Sequence, residues 1–169
     1  GMIRRHYPAL FADDPAWAAR AEALASRTWE LMSFLVDVLD TQIEGRWPAL
    51  ATYHDSCSSL RDLGIKKQPR ALLAGIVGLE LVESSEAETC CGFGGTFCVK
   101  YPDISEKMVD KKIDNAAATG AGLFLSGDLG CLMNMAGRLK RRGLPVEARH
   151  AAEVLAGMTD LPPIGGRRR

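Results

Sequence analysis

The sequence predicts an α/β fold: a small parallel sheet of about four strands flanked by helices, preceded by a helical N-terminal segment. Three observations predict it. Short apolar runs recur at Ala49–His54, Leu79–Val82, Leu123–Ser126 and Pro145–Ala148. Segments with helical signals, opened by Pro or Asp and closed by Gly, separate them. Strands joined by helices are βαβ units, which run parallel with right-handed crossovers. The 169 residues allow a real core, and 47% hydrophobic against 25% charged residues is a globular balance rather than a disordered one.

Residues 1–48 read as helical. Gly1, ahead of Met2, reads as a remnant of tag removal and carries no weight. Asp14 is the expected N-cap and Pro15 the first helical residue, where a missing N–H costs nothing. Trp17, Ala21, Leu24, Thr28, Leu31, Leu35 and Val38 then recur at three- and four-residue steps, an apolar stripe that needs a partner surface. A break near Ser26–Arg27 divides it, and Gly45 and Pro48 close the segment.

Residues 49–158 form the α/β domain. Ala49–His54 is its first strand, followed by Asp55-Ser56-Cys57. Pro69–Ile76 is a short helix with Gly78 as its stop. Leu79–Val82 is the second strand and runs into the acidic loop Glu83–Glu88 and then Cys90-Cys91-Gly92. Asp103 is the expected cap of the next helix, Glu106 takes the capping-box position, and Ile104, Met108, Ile113 and Ala117 form its buried face. Gly120 ends it. Leu123–Ser126 is the third strand, leading through Gly127-Asp128-Leu129-Gly130 to Cys131. The helix Leu132–Arg142 closes on a cationic turn suited to its negative end. Pro145–Ala148 is the fourth strand, Ala151–Gly157 a last helical piece, and 159–169 a flexible basic tail.

Composition excludes several functions. With 21 basic and 21 acidic residues the chain has no bulk attraction to nucleic acid or anionic membrane. Its longest apolar runs are far too short to span a bilayer. No export signal is visible, so a cytoplasmic protein with reduced thiols is expected. The five cysteines then read as metal-binding or redox groups rather than as a disulfide framework.

Their positions are informative. In an open parallel sheet the carboxyl ends of the strands share one edge, where ligands bind. Cys57 follows the first strand, Cys90 and Cys91 the second, and Cys131 the third, so thiols far apart in sequence meet there. Four thiols from three loops read first as a metal or cluster site. Cys131 sits at a helix start, where N–H groups favour a thiolate. Ser56, Ser58 and Ser59 can donate to sulfur. Gly92, Gly94 and Gly95 strip side chains from the loop, so backbone amides can approach bound sulfur closely. Zinc, a thiol–disulfide pair joining Cys90 or Cys91 to Cys57 or Cys131, and inert buried thiols remain open at this point. Cys98 lacks the strand-end placement. Gly92-Phe93-Gly94-Gly95 lacks the third glycine of a dinucleotide fingerprint. His54, three residues before Cys57, is the histidine best placed to support the site, while Asp55 and Asp128 read as loop caps.

The spacing of Cys57, Cys90-Cys91-Gly92 and Cys131 resembles the cysteine-rich CCG-domain family, which includes the CCG-bearing subunit of heterodisulfide reductase, the glycolate oxidase iron–sulfur subunit and lactate-utilisation protein A. The runs Cys90–Phe97, Val99-Lys100-Tyr101-Pro102 and Gly127–Met133 are similar to the last of these. The resemblance extends from His6-Tyr7-Pro8 to the region of His150. It implies a chain equivalent to the second of two CCG domains, with residues 1–48 as the connection from the first. It also implies an iron–sulfur subunit passing electrons in a complex that oxidises L-lactate to pyruvate, or a related 2-hydroxy acid such as glycolate. The implied partners are the other subunits, an iron–sulfur protein among them. Two departures matter. The family pattern ends in CxxC, but Asn134 stands in the last position, and Cys98 is an addition. Cys57, Cys90, Cys91 and Cys131 still suffice for a cluster, [4Fe–4S] being favoured, or for tetrahedral zinc.

Overall fold

A computed structural model of the chain describes residues 1–166. Four strands, β1 (Gly45–His54), β2 (Ile76–Leu81), β3 (Leu123–Ser126) and β4 (Glu147–His150), form one sheet in the order β2-β1-β3-β4. Every pairing is parallel, as the alternation of strands and helices predicts. The principal helices are α1 (Ala18–Ser26), α2 (Lys67–Ala74), α3 (Pro102–Ala117), α4 (Leu129–Arg141) and α5 (Ala151–Leu155). From β1 the chain steps outward to β2, then crosses back past β1 to β3. The winding reverses between β1 and β3, which opens a crevice at their carboxyl ends.

Two strands are longer than the apolar runs suggest. Gly45–Pro48, expected to close the N-terminal segment, instead begins β1 and pairs with β2. The register slips between Arg46 and Ala49, around Pro48, which has no N–H to give to a ladder. Gly78, expected to stop a helix, lies in β2 opposite this bulge with φ +83°; a Cβ there would stand 3.2 Å from the Cα of Pro48. Helix α2 therefore ends at Ala74. β4 falls two residues later than its apolar run, at Glu147–His150.

Alternation along the strands divides the interior in two. Ala51, Tyr53, Leu123 and Leu125 face Met32 of the N-terminal segment, Leu72 and Leu73 of α2, and Ala151 and Val154 of α5. Phe124 and Ala148 face Val109, Ile113 and Ala116 of α3 and Leu132, Met135 and Leu139 of α4. Cys91 and Cys131 belong to this second cluster. Thr52 and His54 pair with Phe124 and Ser126, so they too point to the α3/α4 side.

Helix α3 shows a rotation that hydrophobicity does not predict. It starts at Pro102, with Tyr101 rather than Asp103 at its N-cap. Its buried residues are Ser105, Val109, Lys112, Ile113 and Ala116, while Ile104 is 53% exposed. Two polar residues account for the turn: the Ser105 hydroxyl donates to the Gly92 carbonyl at 2.8 Å, and Lys112 donates to the Glu86 and Ala87 carbonyls. Docking the cysteine loop thus decides which face turns inward. Helix α4 starts at Leu129, three residues before the expected Leu132. Its cationic end pairs with α3, Arg138 with Asp110 and Arg142 with Asp114.

In the N-terminal segment α1 starts at Ala18 with Trp17 at its N-cap, three residues after the expected start at Pro15. Asp14 heads the preceding turn instead, its side chain accepting from Ala16 N at 2.9 Å and its carbonyl from Trp17 and Ala18. The break falls after Ser26, and the helical turn Leu31–Ser33 restarts with Glu30 accepting from Met32 and Ser33. The apolar stripe is only partly buried. Of its members Ala21 is inside, but Trp17, Leu24, Leu31 and Val38 stay exposed, and the other buried apolar positions of the segment, Ala25 and Met32, lie outside the stripe. At the other end Ile164 packs on the second cluster and donates to the Ala148 carbonyl at 3.0 Å. Arg167–Arg169 of the expected tail lie outside the described residues. Among the described residues no helix is long and apolar enough to cross a membrane.

The rotated face of α3 makes a direct prediction. Ile113→Ala should destabilise the chain by about 2–5 kcal/mol, as for a fully buried aliphatic residue, whereas Ile104→Ala should change stability by less than about 0.5 kcal/mol. Urea denaturation of the two variants measures both.

Candidate metal centre

The carboxyl end of β1 supplies His54 and Cys57, the loop after β2 supplies Cys90 and Cys91, and the first turn of α4 supplies Cys131. A ring nitrogen of His54 and the Sγ atoms of Cys91 and Cys131 lie within 4.8 Å of one another, and all three residues are buried. The Cys57 thiol contacts that of Cys90 and also feels the charge on Cys91. Of the four expected thiols the structure thus brings Cys91 and Cys131 together with His54, while Cys57 has Cys90 as its thiol neighbour. Cys98 is outside this group; its thiol donates to the Gly95 carbonyl at 3.2 Å.

Local backbone features hold the donors. Asp128 caps α4 by accepting from Cys131 N at 2.9 Å, which fixes Cys131 in the first turn. Gly92 adopts φ +82°, and a Cβ there would lie 2.8 Å from the Ser105 carbonyl oxygen, so only glycine lets the loop meet α3. Its amide donates to Cys90 Sγ at 3.4 Å, and the Phe93 amide donates to the Cys91 sulfur. Backbone N–H groups on sulfur are what the glycine-rich loop predicts, with Gly92 the member of the trio that supplies one; Gly94 and Gly95 turn the chain toward Phe97–Lys100 with positive φ. The Phe93 ring lies against Gly130, where a Cβ would approach it to 2.6 Å. The serines differ from expectation: Ser56 donates to Ser59 at 3.0 Å and accepts from Ser59 N, so they bond to one another rather than to sulfur.

The electrostatics separate the paired thiols. A hydrogen bond from Cys131, opposed by burial and assisted by His54 and the Phe93 amide, brings Cys91 down to about 5. Cys131 is pushed far up, because it donates to Cys91 and is itself buried. Cys91 is thus the thiolate and Cys131 the thiol of the pair. Burial, then the neighbouring Cys90, raises Cys57. Lys112, almost fully buried, sends its ammonium to the Glu86 and Ala87 carbonyls at 2.6 and 3.0 Å and pins the approach to Cys90. Burial lowers its pKa, and the anionic Cys91 and Asp55 oppose that.

A second clamp fixes the distance between the first two loops. Asp55, whose side chain is 1% exposed, takes both terminal nitrogens of Arg70 at 2.8 Å, and Arg70 also binds Glu83 beyond β2. Asp55 is therefore an anchor between strands rather than a loop cap. Asn134, one turn after Cys131, donates its side-chain amide to the Cys91 carbonyl at 2.9 Å. Its placement is legible in the sequence, since i and i+3 share a helix face. Lys112 carries no such signal, because a lysine in an amphipathic helix reads as solvated.

Four thiols and an imidazole are soft or borderline donors, the set that iron–sulfur clusters and zinc use. The residues present fit such a group on the structure's own terms: among the described residues no group meets hydrogen-bond geometry with either nitrogen of the buried His54, which lies beside the Cys91 thiolate.

Fold and site together define a sheet-edge domain with a cysteine-rich, metal-competent centre at its switch point. The family model described as "Cysteine-rich domain" (CCG) matches residues 51–136, and the chain belongs to that family. Among similar proteins, "Lactate utilization protein A" of Exiguobacterium sp. is 50% identical over 155 residues, covering 91% of this chain and 63% of that protein. "Lactate utilization protein A 1" of Bacillus cereus is 47% identical and "Lactate utilization protein A" of Bacillus cytotoxicus 48% identical, each over 150 residues, 88% of this chain and 63% of the relative. The chain thus spans a little under two thirds of the length of these relatives.

The Asp55–Arg70 clamp is testable apart from any metal. Arg70→Met leaves a buried carboxylate unpaired and should cost about 3–5 kcal/mol. Glu83→Gln, at a side chain 52% exposed, should cost less than about 1 kcal/mol. Denaturant titration of both variants separates the two contributions.

Proposed function

We propose that the chain holds an iron–sulfur cluster through Cys57, Cys90, Cys91 and Cys131, and that it is an electron-transfer subunit of a cytoplasmic assembly oxidising L-lactate to pyruvate. The observation that carries the reading is the convergence of Cys91 and Cys131, from two different loops, with His54 within 4.8 Å, Cys91 being favoured as a thiolate and Cys57 lying beside Cys90. A bound cluster, [4Fe–4S] being favoured, supplies a reversible one-electron carrier. The chain's own groups shape its surroundings. The Gly92 and Phe93 amides donate to the sulfurs of Cys90 and Cys91, Lys112 brings a buried positive charge, and the Phe93 ring against Gly130 limits water. Such hydrogen bonds, charge and burial are the levers that set a cluster's potential.

The names of the similar proteins support lactate utilisation as the setting. Oxidising lactate to pyruvate releases two electrons and two protons. In this reading the carbon chemistry belongs to a partner subunit, and a further iron–sulfur protein takes part in moving the electrons. Glycolate is the alternative substrate. A second reading has a specific observation behind it: a histidine beside thiols is also a zinc donor set, which would make the chain a structural or docking module.

Metal analysis after anaerobic purification tests the cluster. Iron and acid-labile sulfide in near-equal, multi-atom amounts per chain are expected, with visible absorbance that Cys91→Ser abolishes; stoichiometric zinc without sulfide contradicts it. Disrupting the encoding gene should impair growth on L-lactate and leave growth on glycolate unchanged. The reverse pattern overturns the substrate assignment.

A further inference from the structure

We infer that His54 is itself a ligand of the group bound at this centre, one nitrogen donor in a set otherwise made of thiolates. The inference rests on the metal-centre reading above and adds to it a residue that the cysteine pattern does not contain.

The imidazole is 0% exposed, and among the described residues no group meets hydrogen-bond geometry with Nδ1 or Nε2, the Cys91 sulfur being the group the ring acts on. A neutral imidazole carries one donor and one acceptor, and burying both unpaired is costly. A histidine kept only for packing finds a carbonyl or carboxylate, as His150 finds a use by accepting from Ala152 N to cap α5. Several polar groups around this strand end are already committed, although Thr52 Oγ1, two residues earlier on the same face of β1, is likewise without a partner among the described residues. Asp55 is held by Arg70, Ser126 donates to the His54 carbonyl rather than to its ring, and Asn134 is engaged by the Cys91 carbonyl. On the other side the ring meets Phe124, centroid to centroid 6.4 Å, which offers nothing polar. What remains are Cys91 and Cys131, whose sulfurs converge with an imidazole nitrogen within 4.8 Å.

The strand explains why the ring points there. His54 is the last residue of β1 and pairs with Ser126, the last of β3. The two residues flank the switch point, so an inward side chain at that position is aimed into the crevice rather than into a closed core. Added to the four thiolates, a neutral nitrogen leaves the bound group one charge less negative than a cysteine at position 54 would, which gives a higher reduction potential, as His in place of Cys does in other iron–sulfur sites.

The test uses the 169-residue chain carrying 15N-labelled histidine. It is loaded anaerobically with iron and sulfide in one sample and with cobalt(II) alone in another. Pulsed electron paramagnetic resonance on the loaded forms should detect a strongly coupled nitrogen that changes with the label. His54→Cys should keep the metal, lose that coupling and lower the potential, while His54→Ala should weaken cobalt(II) binding at least tenfold with an unchanged circular dichroism spectrum. A loaded chain without the histidine coupling, or a His54→Ala variant binding cobalt(II) as tightly as the parent, overturns the ligand assignment alone. Uptake of cobalt(II) with the coupling but without an iron–sulfur cluster supports His54 and overturns the cluster. A chain that takes up neither overturns both.

Discussion

Three cysteine-bearing loops meet because the chain reverses its winding between β1 and β3. The order β2-β1-β3-β4 sends the connections from these two strands in opposite directions, and the gap between them is where His54, Cys57 and Cys131 emerge. The loop after β2 must then be brought across the carboxyl end of β1 to deliver Cys90 and Cys91. Several of the polar interactions inside the molecule serve that one requirement. Arg70 ties Asp55 at the end of β1 to Glu83 at the start of the loop, Lys112 holds Glu86 and Ala87, Ser105 holds Gly92, and Asn134 holds Cys91.

These clamps oppose a real cost. Crowding thiols in a buried place favours at most one anion among them, which is why Cys91 and Cys131 share a proton and shift in opposite directions. An arrangement fixed this firmly by groups outside it is preorganised for a ligand, because the entropy of ordering the loop is met by folding rather than by binding. The two faces of the sheet divide the labour. The face toward α2 and α5 is an apolar core, while the face toward α3 and α4 combines core and site, with Cys91 and Cys131 packed among Ile113, Phe124 and Leu132.

Much of this is legible in the residues. Apolar runs of strand length separated by helices imply the parallel sheet, and the position of each cysteine after a strand implies their convergence without any distance being known. The remainder is decided by tertiary contacts that local patterns do not encode. Gly45–Pro48 is strand because β2 pairs with it, despite a proline, and Gly78 serves a bulge rather than a helix end. Helix α3 turns Ser105 and Lys112 inward at the expense of Ile104, since carbonyls of the cysteine loop need donors more than Ile104 needs burial. His54 lies within reach of sequence reasoning, because its parity with Thr52 along β1 puts it on the α3/α4 side. The N-terminal stripe needs a partner surface, and the fold covers only part of it, leaving Trp17, Leu24, Leu31 and Val38 exposed.

The proposed metal group at the meeting of these three loops is tested most directly by diffraction measured on both sides of the iron and zinc absorption edges. Crystals of the anaerobically prepared chain should give an iron-specific anomalous signal among Cys57, Cys90, Cys91 and Cys131, with the His54 ring turned toward it. Free thiols at that place, or a metal held elsewhere on the chain, would contradict the proposal.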